Sequence, residues 1–103
     1  DGGLGHVAYA ASKAGVVGMM LPAARELAPR GIRVLTIAPG FFPTPMAGSI
    51  DDKVLASMTA AILFPKRLGR LDEFAGLVSH LCENRYLNAT VVRVDGGTRL
   101  VGR

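Results

Sequence analysis

The sequence predicts an α/β fold at the edge of a parallel sheet, and three observations predict it. A long run of helix-forming residues occupies positions 7–28. Two short β-branched runs, residues 32–38 and 90–94, each stop at a turn signal, Pro39-Gly40 and Asp95-Gly96-Gly97. Two further helical stretches lie between them, and the order helix, strand, helices, strand is that of a sheet edge in an α/β protein.

The first helix is read from its Ala, Met, Leu and Lys content, and Pro29 with Gly31 supplies its stop. Residues 14–24 are small or apolar on every side, which predicts burial on more than one face, with a second subunit covering the far side. Pro22 should remove one helical hydrogen bond and bend the segment. The run Ile32-Arg33-Val34-Leu35-Thr36-Ile37-Ala38 has the pattern of a buried strand closed by a breaker. From Gly40 to Ser49, with prolines at 43 and 45, the chain should be irregular.

Residues 51–61 predict a short helix capped by an acidic residue and apolar at Val54, Leu55 and Met58, and Phe64-Pro65 ends any continuation. Residues 72–83 open with two acids and carry Phe74, Leu77, Val78 and Leu81 at helical spacing. A strand at 90–94 follows, then the Asp95-Gly96-Gly97 turn, to which no chemistry is assigned. Two strands cannot make an independently stable parallel sheet, and Asp1-Gly2-Gly3-Leu4-Gly5 reads as a loop entered partway. Residues 1–103 are therefore expected to be the C-terminal part of a single domain whose N-terminal half is absent.

Half the residues are hydrophobic and 19% are charged, as expected of a packed globular body. No apolar run is long enough to span a bilayer, so no membrane partner is expected. The single cysteine, Cys82, excludes an internal disulfide and suits a reducing compartment. His6 and His80 lack a partner at metal-ligand spacing, and no metal is expected. The formal charge of +4 comes from basic residues scattered without an aromatic platform, which argues against nucleic acid.

Tyr9 and Lys13 stand at i and i+4, so a helix places them on one face, one turn apart. A tyrosine with its ordinary pKa of about 10 transfers protons poorly at neutral pH. A neighbouring ammonium favours the phenolate and brings the group toward catalytic use. The same spacing also arises in any helix where a half-buried tyrosine lies beside a lysine stem.

Four segments decide between these readings. Tyr9-Ala10-Ala11-Ser12-Lys13-Ala14-Gly15, Glu26-Leu27-Ala28-Pro29-Arg30-Gly31-Ile32-Arg33-Val34, Ala38-Pro39-Gly40 and Asp95-Gly96-Gly97, in this order, resemble the short-chain dehydrogenase/reductase family over almost the whole chain. Within it, Phe64-Pro65-Lys66-Arg67-Leu68-Gly69 and Glu83-Asn84-Arg85-Tyr86-Leu87-Asn88 are similar to members acting on 3-hydroxyacyl-CoA.

The resemblance implies a Rossmann-type doubly wound parallel sheet in three α/β/α layers, of which this is the C-terminal part. It also implies hydride transfer between NAD and a secondary alcohol or ketone, foremost 3-hydroxyacyl-CoA to 3-oxoacyl-CoA in fatty-acid β-oxidation, with NADP as the other coenzyme to consider. The alternatives are an NADPH-dependent 3-oxoacyl-carrier-protein reductase and a non-catalytic member of the family. Tyr9 would be the general acid/base, and Lys13 would bind the nicotinamide ribose and lower the Tyr9 pKa. Pro39 and Gly40 would lie along the nicotinamide, and Thr44 and the backbone near Phe42 would contact its carboxamide or diphosphate. Met46 would line an acyl pocket. A small-molecule substrate, a homo-oligomer (tetramer or dimer) and a cytoplasmic or, in a eukaryote, mitochondrial-matrix location complete the expectation. The family's glycine-rich turn and catalytic serine would precede Asp1. Turn propensity alone makes Pro39-Gly40 a strand-terminating turn and Thr44 a loop hydroxyl bonded to its own backbone.

Overall fold

A computed structural model describes residues 2–43 and 50–99, with side chains from residue 14 onward. Three α-helices, α1 (Gly2–Leu27), α2 (Asp52–Ala61) and α3 (Leu71–Glu83), and two strands, β1 (Leu35–Pro39) and β2 (Thr90–Val94), follow the expected order. The strands pair as a two-stranded sheet. The Ala89 N–H donates to Val34 O before the strands and the Gly40 N–H to Val94 O after them, so the pairing is parallel. Residues 44–49, Thr44 and Met46 among them, lie outside the described residues.

The chain divides into two compact units, Asp1–Thr36 with Asn84–Val92, and Ile37–Glu83 with Arg93–Arg103. In the first unit α1 starts at Gly2, not at residue 7. Glycine lowers helix propensity without forbidding it, and adding a turn to an existing helix avoids the cost of nucleation. The helix runs through Pro22 and gives way to a 3-10 turn at Ala28–Arg30. Its end is a Schellman arrangement. Gly31 takes φ 73°, its N–H donates to Ala28 O at 2.9 Å, and the Ile32 N–H donates to Leu27 O at 3.3 Å.

β1 starts at Leu35, three residues later than expected. The Val34 N–H is taken by the Asn88 side-chain oxygen at 2.9 Å, so a side chain replaces a ladder partner there. Arg33 Nη1 donates to Leu87 O at 3.1 Å and Asn84 O at 3.4 Å, tying the segment before β1 to the one before β2. Within α1, Ala24 is buried. Val16, Val17, Met19 and Leu21 are exposed, so the burial expected over residues 14–24 does not come from this chain's own described residues.

In the second unit Asp51 caps α2, its carboxylate accepting from the Lys53 N–H at 2.7 Å. Ile62, just past α2, is buried. On α3, Phe74 and Leu77 are half-buried and Leu81 is buried, a stripe at i, i+3 and i+7, whereas Val78 lies on the exposed side. Pro39, expected to stop the strand, is its last residue, and its lack of an N–H is tolerated at a strand end.

Candidate active site

The end of β1 leads into a cleft of the second unit, about 120 Å³ in volume, lined among others by Phe41, Phe42, Arg67, Gly69, Glu73 and Asp95. Asp95, one of the lining residues, takes part in a close backbone crossing. Gly40 passes Asp95 so tightly that a Cβ on Gly40 would stand 2.7 Å from Asp95 Cα. Asp95 in turn organises the last turn: one carboxylate oxygen accepts the Gly97 N–H at 2.9 Å and the other accepts Arg93 Nη2 at 2.6 Å. Gly96 and Gly97 adopt φ 59° and 74°, which a side chain disfavours. Burial opposes ionisation of Asp95, but the Arg93 guanidinium and the Gly97 amide outweigh it and hold the carboxyl below its usual range.

Glu73, in the first turn of α3, also lines the cleft. Arg67 forms a bidentate pair with its carboxylate, both N···O distances 2.9 Å, and Arg67 Nη1 also donates to Leu68 O. The Arg70 N–H donates to Glu73 Oε1 at 2.8 Å, one half of a capping box, with Arg70 preceding the helix. The Arg67 guanidinium, followed by the Arg70 amide, holds the Glu73 carboxyl down to about 2, and Glu73 raises the Arg67 pKa in return. Both side chains are more than a third exposed, so this pair organises a loop more than it stabilises the fold.

Between these anchors the Gly69 N–H donates to Phe41 O at 2.9 Å, and the Phe42 ring lies against Gly69. The ring also meets Phe74 edge-on, with centroids 5.7 Å apart and planes at 74°.

Of the residues singled out in the sequence, Tyr9 and Lys13 both fall within the continuous helix α1, one turn apart along its backbone, and their side chains lie outside the described residues. Pro39 and Gly40 sit at the carboxyl end of β1, the edge where open α/β sheets receive ligands. The Gly40 N–H is committed to Val94 O, so its amide serves the sheet. Phe42 is among the residues that line the cleft. Asp95, read only as a turn residue, is the one against which Gly40 packs. Sequence reasoning assigned no role to Gly69, Arg67 or Glu73. The legible signal was Glu73 at the third position of a helix preceded by a turn, where a carboxylate can reach back to a backbone amide.

Comparison with known proteins bears on the family and the fold. The family described as enoyl-(acyl carrier protein) reductase matches residues 2–99. The chain is 51% identical to 3-hydroxyacyl-CoA dehydrogenase type-2 of Bos taurus over 97% of its own length and 38% of the relative's. It is 43% identical to a 3-oxoacyl-(acyl-carrier-protein) reductase of Thermotoga maritima, over 93% of this chain and 39% of that one. The crystal structure of 3-hydroxyacyl-CoA dehydrogenase type-2 from Mycobacterium avium superposes with a TM-score of 0.87 at 49% identity, covering 94% of this chain and 38% of that one. The fold is thus the α/β, Rossmann-type one expected, and the chain belongs to the short-chain dehydrogenase/reductase family. It spans about two fifths of the length of the relatives it matches.

Proposed function

We propose that the protein carrying this chain is an NAD-dependent oxidoreductase that interconverts a 3-hydroxyacyl-CoA and a 3-oxoacyl-CoA. The observation that carries the reading is Tyr9 and Lys13, four residues apart inside the uninterrupted helix α1. Identity near one half with relatives named 3-hydroxyacyl-CoA dehydrogenase type-2 supports the substrate class. The 43% identity to a 3-oxoacyl-(acyl-carrier-protein) reductase favours a second reading, reduction of a carrier-protein thioester with NADPH, which would use the same residues.

The donor set suits the nicotinamide end of a dinucleotide. The Lys13 ammonium and Tyr9 hydroxyl supply groups for ribose hydroxyls, and Thr44 with the backbone near Phe42 supplies them for a carboxamide or diphosphate. Pro39 and Gly40 contribute shape, since proline has no N–H and that of Gly40 is engaged. The nicotinamide would supply the hydride acceptor for the carbinol carbon, and the hydride donor in the reverse direction. Tyr9 accepts the proton from the alcohol oxygen in the oxidative direction and returns it in the reverse one. Lys13 favours the phenolate form of Tyr9 through its positive charge. The complete enzyme is a homo-oligomer in this reading, working in the cytoplasm or, in a eukaryote, the mitochondrial matrix.

Tyr9→Phe in the complete protein tests the proposal. Turnover should fall at least about a hundredfold with NADH affinity little changed. Near-normal turnover would remove Tyr9 from the mechanism, and a parent protein that oxidises no 3-hydroxyacyl thioester would remove the substrate class.

A further inference from the structure

We infer that Gly69 is a positioning residue for the coenzyme edge: the space left by its missing side chain seats the Phe42 ring and thereby fixes the backbone that leaves β1. The inference rests on the cofactor reading above and adds to it a residue far along the chain from Pro39 and Gly40.

Gly69 is not among the residues with positive φ, so its backbone would accept an L side chain. Space forbids one. A Cβ there would overlap the Phe42 ring, standing 2.7 Å from Cζ and 2.8 Å from Cδ2 after a still closer approach to Cε2. Phe74 meets the same ring edge-on, so a shift of the ring would disturb that contact. The Gly69 N–H meanwhile holds Phe41 O at 2.9 Å, so one glycine fixes both the backbone of Phe41 and the side chain of Phe42.

The loop presenting Gly69 is anchored on both sides by one carboxylate. Glu73 binds the Arg67 side chain before Gly69 and the Arg70 amide after it. The stretch 39–42 is correspondingly held at two points, by Val94 and Asp95 at Gly40 and by Gly69 at Phe41 and Phe42. A methyl group at residue 69 would displace the second point and leave the first in place. The expected result is a misdirected coenzyme edge on an otherwise folded protein.

The test is a titration of NADH into the complete protein, its Gly69→Ala and Phe42→Ala variants and the double variant, with a heat-unfolding scan of each. Gly69→Ala should weaken NADH binding about tenfold, and the KM for the acyl substrate at saturating coenzyme should stay within about twofold of the parent's. In the double variant the obstructing ring is gone, so its NADH affinity should equal that of Phe42→Ala alone. Parental affinity in Gly69→Ala, or additive losses in the double variant, would overturn the inference. Should Gly69→Ala not unfold cooperatively, Glu73→Gln loosens the same loop more gently, and parental NADH affinity there would overturn it equally. A parent that binds no NADH overturns the cofactor reading and this inference together, whereas normal binding by the parent confines any failure to Gly69.

Discussion

Gly40 and Asp95 share a space that holds one side chain only: a Cβ on Gly40 would lie 2.5 Å from the Cβ of Asp95. The contact joins the end of β1 to the turn after β2, and neither backbone can withdraw while the Gly40 N–H bonds Val94 O at 3.0 Å. Gly40→Ala should therefore destabilise the complete protein by about 1–3 kcal/mol, the usual cost of overpacking. A denaturant titration against the parent checks it, and an unchanged midpoint would mean that the crossing relaxes without cost.

Lys13→Met keeps a long apolar stem and removes the charge. If Lys13 both binds ribose and favours the Tyr9 phenolate, NADH affinity should fall and the rate should rise with pH only in a more alkaline range. Calorimetric titration with NADH and a pH–rate profile examine the two roles separately. An unmoved profile with unaltered affinity contradicts both.

The Glu73 carboxyl ionises at about 2 in the folded protein against an ordinary value of 4.5. A lowered folded-state pKa means that its contribution is present above pH 4.5 and is lost as pH falls from there through about 2. Because the pair is exposed, Glu73→Gln should lower the melting temperature only slightly at neutral pH, and the gap from the parent should close as pH falls through that window. Melting curves taken at steps of pH would show a constant gap if the pair contributed nothing.

On α1, a Cβ at Gly18 would meet nothing within 4 Å, and the neighbouring Val16, Val17 and Met19 are exposed. Gly18→Arg is thus accommodated by the chain itself, and any effect on assembly reports on another surface covering this face. Sedimentation of the complete protein should show a shift from oligomer toward monomer or aggregate. An unchanged assembly would place the subunit contact elsewhere.

What the sequence made legible were features that depend on neighbouring residues. The β-branched run at 90–94 is strand β2 from end to end, and Pro29 with Gly31 does terminate the first helix. The errors arose where a distant partner decides. β1 begins late because Asn88, far along the chain, takes the Val34 amide, and Val78 of α3 is exposed because packing selects one stripe from four apolar residues. Tyr9, Lys13, Pro39, Gly40 and Phe42 are proposed as site residues through resemblance alone. Gly69 could not be given a role, since it has an ordinary backbone and matters only because a ring 27 positions earlier, that of Phe42, occupies its side-chain space.

The Arg33 clasp bears on the order in which the molecule is made. Its guanidinium reaches carbonyls 51 and 54 residues away, so it can close only after the chain between, with α2 and α3, has been brought round. Helices that need only their own neighbours form ahead of such a contact. A tie completed after the rate-limiting step governs how fast the native state comes apart more than how fast it assembles. If the clasp closes after that step, Arg33 would act as a latch, bearing on how fast the folded chain opens more than on how fast it forms.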